Sequence, residues 1–340
     1  MSTEPSGRPR SRRALKALKV LAVLVAAWLV IDKAVAIASP APQVGHWRSQ
    51  EGYASYRAAY DAAMADLPEP TRTHDVPTEF GTVRVYEWAA DGGGDKGNGL
   101  LPVVFVPGIS SGAPMWGDNL PSWIGDRTLY AMDAIGDSGM STQSVPFDSF
   151  ADQAEWVEQM LAGLDIDRAH MVGHSFGGAV AANHALDHPG RVASLTLLEP
   201  VVVLEALPAS MYLWSSLLIL PAPQSWKDRA LAEIGGTTLE EVRERTPMSV
   251  MVDEGAGHYV SPTLVPRTLT DDEWRSMEMP VRVDIAAEKS LAGGEEAAKR
   301  ARGLGMDPVT VWPETTHSLP MQAAEDLGPE LEEYWSTHDG

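Results

Sequence analysis

The stretch Gly173-His174-Ser175-Phe176-Gly177-Gly178 sets a serine two residues from a glycine on either side. An apolar strand over 169–172 runs into it, and a small-residue helix over 179–188 runs out. In that strand–turn–helix setting the pattern is a nucleophile elbow, which lifts a hydroxyl above the strand ends. So tight a turn leaves no room for side chains next to the serine, which accounts for Gly173 and Gly177. Gly178 lets the helix pack closely on the sheet. The bland alternative is a glycine-rich turn with an incidental serine. A serine hydroxyl is a weak nucleophile. It needs a base to take its proton, an acid to orient the base, and backbone N–H groups to hold the developing oxyanion. The chain offers nine histidines for the base and no cysteine, so a thiol nucleophile, disulfides and thiolate metal sites are excluded.

The surrounding pattern supplies elements to carry such groups. An amphipathic helix is predicted over 46–67, with Tyr53, Tyr56, Tyr60 and Met64 on one stripe. A hairpin follows over 74–79 and 82–88, turning at Phe80-Gly81. The glycine-rich 91–99 opens no helix and reads as a connection, not a phosphate loop. Strands are then predicted over 101–106, 128–132, 169–172 and 192–198, with a helix over 150–164. The alternation implies a doubly wound, mostly parallel sheet. After Glu199 it stops for about eighty residues, with helical runs over 211–220 and 227–245, and resumes with strand 280–286, helix 295–304, strand 309–312 and helix 322–335. Residues 200–279 therefore read as a helical cap over the strand ends, or else as a second subdomain away from substrate.

With the elbow and this rhythm, the chain resembles the α/β-hydrolase superfamily from about Asp75 to Trp335, in its serine-nucleophile, capped, esterase-like form. The resemblance implies an α/β fold: core residues 39–199 and 280–340 around a cap at 200–279. It also implies the chain order nucleophile, acid, histidine. His317, in the loop after the last predicted strand, then falls where similar hydrolases keep the base. The oxyanion donors become the N–H groups of Phe176 and of Ile109 in Pro107-Gly108-Ile109-Ser110, with Ser110 as the alternative to Ile109. The loop Asp133-Ala-Ile-Gly-Asp-Ser-Gly-Met-Ser141 is similar to the family's D-x-x-G-x-G-x-S loop and implies a structural role beside the site. Trp116 and Met140 are expected either to bind substrate or simply to pack.

The acid departs from the common pattern. Most similar hydrolases place an aspartate just after the strand represented here by 281–286, and Ser290 occupies that place. Asp284 inside the strand, Glu288 two residues early and Glu199 at the end of the preceding strand are the candidates. Glu199 is the reading adopted, because some capped relatives carry their acid at that strand end; its alternative is a cap hinge before Pro200. The resemblance implies cleavage of a small or lipophilic carboxylic ester through an acyl-enzyme, without cofactor or metal. Amidase, lactonase, C–C hydrolase and cofactor-free haloperoxidase chemistries share the fold, as do non-catalytic ligand-binding relatives. The His184/His188 spacing suits a metal, but no third ligand is evident.

Charge narrows the partners. Residues 1–38 hold seven Lys/Arg against two Asp/Glu, a net of +5 in a chain of −21, which leaves −26 on the rest. So acidic a body excludes nucleic acid as a partner and disfavours anionic substrates. In the basic segment, 20–31 is an unbroken apolar run, interrupted by Asp32-Lys33 and resumed at 34–38. Twelve residues suit a signal peptide; counted from 15 to 38, the helix suits a membrane anchor with its lysines snorkelling. The expectation is a single N-terminal anchor, membrane association through it, and the catalytic domain outside the cell membrane. Secretion after signal cleavage and a helix packed on the domain or a partner are the alternatives.

Overall fold

A computed structural model describes residues 43–91, 99–207, 222–236, 238–262 and 264–340, together with 211, 213, 214 and 217. The strands are β1 (His46–Trp47), β2 (Arg72–Thr78), β3 (Gly81–Trp88), β4 (Val103–Val106), β5 (Leu129–Met132), β6 (Thr142–Gln143), β7 (Ala169–His174), β8 (Val192–Leu198), β9 (Tyr259–Val260), β10 (Val281–Ala286) and β11 (Val309–Trp312). The helices are α1 (Gln50–Met64), α2 (Leu120–Trp123), α3 (Ala151–Gly163), α4 (Phe176–Asp187), α5 (Gln224–Gly235), α6 (Leu239–Arg243), α7 (Pro247–His258), α8 (Asp271–Ser276), α9 (Gly294–Gly303), α10 (Leu319–Gln322) and α11 (Ala324–Ser336).

One sheet runs in the order β11-β10-β8-β7-β4-β5-β3-β2, with β6 paired to β3. It is parallel from β11 to β5 and antiparallel at the β5–β3–β2 edge. The doubly wound, mostly parallel sheet of the sequence reading is thus the observed fold. The chain leaves β4 for β5 on one side and later returns to β7 on the other. A crevice opens above the carboxyl ends of strands at such a reversal, the usual place for a ligand in an open α/β sheet.

Side-chain alternation puts core on both faces. Val104 and Val106 of β4 join the cluster under α3, α4 and α9, whereas Val103 and Phe105 join the one under α1, α2 and α11. In the second, Phe105 stacks on Trp123 at 5.1 Å between ring centroids, and Trp335 meets Trp123 edge-on at 5.5 Å. The strands of the centre are buried throughout, and β4 reads as a continuous apolar run for that reason.

Elements differ from the expectation mainly at their ends. The helix expected over 46–67 begins at Gln50, because Ser49 caps it by accepting the Gly52 N–H, and His46–Trp47 pairs instead with Tyr259–Val260. The helix after the elbow starts at Phe176, three residues early, since it follows the turn without a break. Helices α7 and α8 were not anticipated; each is capped by a threonine, Thr246 and Thr270. Residues 200–279 carry α5 to α8 and β9 within the same compact unit as the sheet, Val44–Gly340. The glycine-rich 92–98 lies outside the described residues, as does much of 211–220, of which 211, 213, 214 and 217 are helical.

The cell-membrane location and the membrane association are corrected here. Among the described residues no helix is long and apolar enough to cross a membrane. The segment 15–38 that carried those expectations lies outside the described residues.

The chain's end is tied back to the sheet through Arg127, whose side chain is fully buried. Its guanidinium donates to the Leu101 carbonyl at 2.9 Å, pairs with Glu332 and Asp339 at 3.0 Å, and lies under the Trp335 ring. Removing one partner of a buried ion pair leaves the other charge uncompensated, at a cost of about 3–5 kcal/mol. Arg127→Met is therefore expected to lower the thermal midpoint by several degrees in calorimetry, whereas a midpoint equal to wild type would show that α11 is held by apolar packing alone.

Candidate active site

The turn after β7 gives Ser175 φ 55° and ψ −122°, a region that a side chain occupies only when its surroundings enforce it. They do so by proximity. A Cβ on Gly173 would lie 2.5 Å from the Gly177 carbonyl oxygen, and one on Gly177 would overlap the Val106 and Pro107 carbonyls. The Ser175 N–H donates to the Leu198 carbonyl of β8 at 3.1 Å, and its own carbonyl accepts from Gly178 and Val201. The hydroxyl stands at the crevice between β4 and β7.

His317 lies between β11 and α10. Its Nε2 is 2.8 Å from the Ser175 Oγ and its Nδ1 is 3.1 Å from the Glu199 Oε2. A carboxylate only accepts, so the proton sits on Nδ1 and Nε2 is left to accept from the serine. The three residues thus form one continuous line of hydrogen bonds. Glu199 itself is fully buried at the end of β8, with φ 48°. Its Oε1 accepts from the Ala286 N–H and the Ser290 hydroxyl, both at 2.7 Å, and its Oε2 accepts from the Leu291 N–H at 2.9 Å.

The other two acid candidates lie elsewhere. Asp284 is buried on a different side of β10, held by Arg282 at 2.8 Å and by the Trp312 indole N–H at 2.9 Å. Glu288 is exposed. Ser290, which stands where an aspartate was expected, donates to Glu199 and accepts from the Gly294 N–H at 3.0 Å. The absence of a carboxylate at 290 was the one signal in the sequence that pointed to this contact.

In the loop after β4 the N–H groups are distributed unevenly. That of Gly108 faces the Met115 sulfur, that of Ser110 donates to Asp137, and that of Ser111 donates to the Gly108 carbonyl. Ser110 is therefore spent, and Ile109 is left with the N–H that has no intramolecular acceptor among the described residues. Phe176, as the first residue of α4, likewise has no intrahelical acceptor for its N–H. Gly108 allows the loop this close: a Cβ there would lie 3.2 Å from the Ser175 Cβ.

Two residues of the expectation do not reach the site. Trp116 is fully buried against Phe105, ring centroids 5.0 Å apart, and Met140 packs on the same core beneath the loops. Neither lines the cavity, so their role in binding substrate is corrected to packing. For Trp116 the signal misled because its neighbour Met115 does line the cavity. His184 and His188 are engaged by Glu158 and Glu155 on the far side of α4. His174 was passed over in the sequence. Its Nε2–H donates to the His317 carbonyl at 2.9 Å, and burial with the neighbouring His317 lowers its pKa to about 3. It is a neutral brace under the loop that carries His317.

Above Ser175 opens a cavity of about 1270 Å³, lined by Ile109, Ser175, Phe176 and His317 from the sheet side. The opposite wall comes from α5 to α7 and the following loop, through side chains such as Leu231, Ile234, Val242, Met248 and Leu264.

Residues 102–241 match a family model for the alpha/beta hydrolase fold. The chain has the α/β-hydrolase fold. It is an enzyme of that fold, and its relatives include ester hydrolases. Carboxylesterase YbfK of Bacillus subtilis (strain 168) is 26% identical over 250 residues, covering 72% of this chain and 81% of that one. The uncharacterized carboxylesterase nap of the same strain is 30% identical over 145 residues, 43% of this chain and 46% of that protein. The crystal structure of naproxen esterase (carboxylesterase NP) from Bacillus subtilis matches with a TM-score of 0.73 at 20% identity, over 84% of this chain and 99% of that chain.

The elbow's fit generates a direct expectation. Gly177→Ala drives a methyl into two backbone carbonyls that cannot swing away, so it is expected to cost several kcal/mol, at the upper end of single substitutions. Denaturant titration reads this; a midpoint unchanged from wild type would mean that the turn is looser than described.

Proposed function

We propose that the protein is a serine carboxylesterase acting on uncharged, lipophilic esters. The observation that carries this reading is the unbroken line from Glu199 through His317 to Ser175 on the floor of a large apolar-walled cavity. In the reaction, His317 Nε2 takes the Ser175 proton as Oγ attacks the ester carbonyl, and the N–H groups of Ile109 and Phe176 receive the oxyanion. Collapse of the tetrahedral adduct breaks the C–O bond, and His317 returns its proton to the leaving alcohol. Water, activated by the same imidazole, then releases the acid from the acyl-enzyme. Glu199 holds the imidazole in the required tautomer and balances the charge it acquires.

The kinship to carboxylesterases supports this choice among the chemistries that the fold hosts. A cavity of about 1270 Å³ exceeds the roughly 300–1,000 Å³ of ordinary ligand pockets, so bulky acyl or alcohol groups are accommodated. The acidic body selects against anionic ones. Residues 200–279, which supply the wall opposite Ser175, act in this reading as the cap that shapes the substrate. An amidase would share the same residues but must protonate a poorer leaving group; no feature of the cavity favours it.

A fluorophosphonate should label wild type at Ser175 and not label Ser175→Ala. That variant should fold normally and lose about 10⁴- to 10⁶-fold in kcat on nitrophenyl esters, the scale seen when a nucleophile is removed. A folded Ser175→Ala enzyme with a tenth or more of the activity overturns the mechanism. An unlabelled, inactive wild type would instead mark a non-catalytic ligand binder.

A further inference from the structure

Behind the loop that carries Ile109 lies a buried carboxyl that the reaction does not use. Asp137 follows β5 in the Asp133–Ser141 loop and is 7% exposed. Its Oδ2 accepts the Ser110 N–H at 2.6 Å and its Oδ1 accepts the Ser138 N–H at 2.7 Å. We propose that Asp137 is a positioning residue for the oxyanion hole: by seizing the Ser110 N–H it fixes the 109–110 peptide and leaves the Ile109 N–H facing the reacting carbonyl. The proposal rests on the esterase reading given above.

Three observations support that role over simple packing. Ser110 holds φ 59°, which a serine does not keep unless something grips the peptide, and its N–H is gripped by Asp137. The loop is held on both flanks of that point: the Ser111 hydroxyl donates to the Gly108 carbonyl at 2.7 Å, and Asp133 accepts the Ala113 N–H at 2.8 Å. Lastly, Asp133 is already occupied by the Tyr60 hydroxyl and the Met140 N–H, so it braces the core while Asp137 alone reaches the residue next to Ile109. The Ile109 N–H belongs to the next peptide plane, joined to the clamped one only through φ and ψ of Ile109, so holding the loop on both flanks narrows the directions in which it can point.

The charge of Asp137 adds a pH dependence. The titratable groups facing it are Asp133 on its own loop, Tyr56 of α1 and Tyr259 of β9. Burial first, with Asp133 in addition, pushes its carboxyl up to about 6, against the two N–H donors that favour the anion. Above that pH the anion binds the Ser110 N–H through a charge-assisted hydrogen bond. Below it the carboxyl is protonated and the grip weakens, so part of the fall in kcat on the acid side belongs to Asp137.

The test compares Asp137→Ala and Asp137→Asn with wild type on one nitrophenyl ester, measuring kcat and KM from pH 5 to 8. Asp137→Ala should lower kcat by about 10- to 100-fold with KM little changed, less than the roughly 100- to 1,000-fold that loss of an entire oxyanion donor costs. Asp137→Asn keeps an oxygen that can accept from Ser110; it should recover at least about half of that loss on a logarithmic scale, with a flatter acid side than wild type. An Ala variant within about threefold of wild type in kcat, or one whose loss lies in KM, overturns the proposal. If the Ala variant does not fold, the Asn variant decides: a kcat and acid side identical to wild type overturn it, and a lowered kcat with a flattened acid side supports it. A wild type that turns over no ester refutes the esterase reading and this one together.

Discussion

A carboxylate with no water around it can exist at the end of β8 only if every lone pair is used, and that requirement organises the C-terminal half of the molecule. An unpaired buried charge costs far more than any one contact returns. Glu199 meets the requirement by drawing in donors from the end of β10, from the loop beyond it and from the loop beyond β11. Those loops join strands whose order in the sheet is β11-β10-β8. One side chain therefore fixes the end of a strand and the course of two separate loops, and His317 is delivered to Ser175 as the last of its ligands.

Local backbone strain marks the same place. Ser110, Ser175 and Glu199 all hold positive φ, respectively 59°, 55° and 48°. Each is clamped by contacts that reach across the sheet, namely Asp137 for Ser110, Leu198 and Val201 for Ser175, and Asp284 for Glu199, whose N–H donates to that residue's carbonyl at 2.8 Å. Strained residues persist where the surroundings over-determine them, and sites that must be rigid before substrate arrives are where proteins keep them. The glycines at 108, 173 and 177 serve the same end from the other side, by letting backbone approach backbone.

Much of this was legible in the sequence, for physical reasons that differ from element to element. Strand β4 could be read because burial on both faces makes it uniformly apolar. The elbow could be read because only glycine fits beside so tight a turn. Glu199 was reachable through what was missing, a carboxylate at 290. Helix α7 escaped because its faces are divided between core, cavity and solvent, which blurs the period of its apolar residues. Trp116 and Met140 were misjudged because adjacency in sequence to a site loop says nothing about which way a side chain turns. The roles of His174 and Asp137 depend on contacts across 143 and 27 residues of chain, which no local pattern encodes.

The claim at the centre is that Glu199, and not the more conventionally placed Glu288, orients the base. Saturation kinetics of Glu199→Gln and Glu288→Gln on a nitrophenyl ester address it directly. The glutamine keeps the shape of the site but cannot balance an imidazolium, and the comparable loss in a serine protease is about 10⁴-fold in kcat. The account predicts a fall of orders of magnitude for Glu199→Gln, with the fold retained, and near wild-type turnover for Glu288→Gln. A crippled Glu288→Gln beside a nearly normal Glu199→Gln would contradict it.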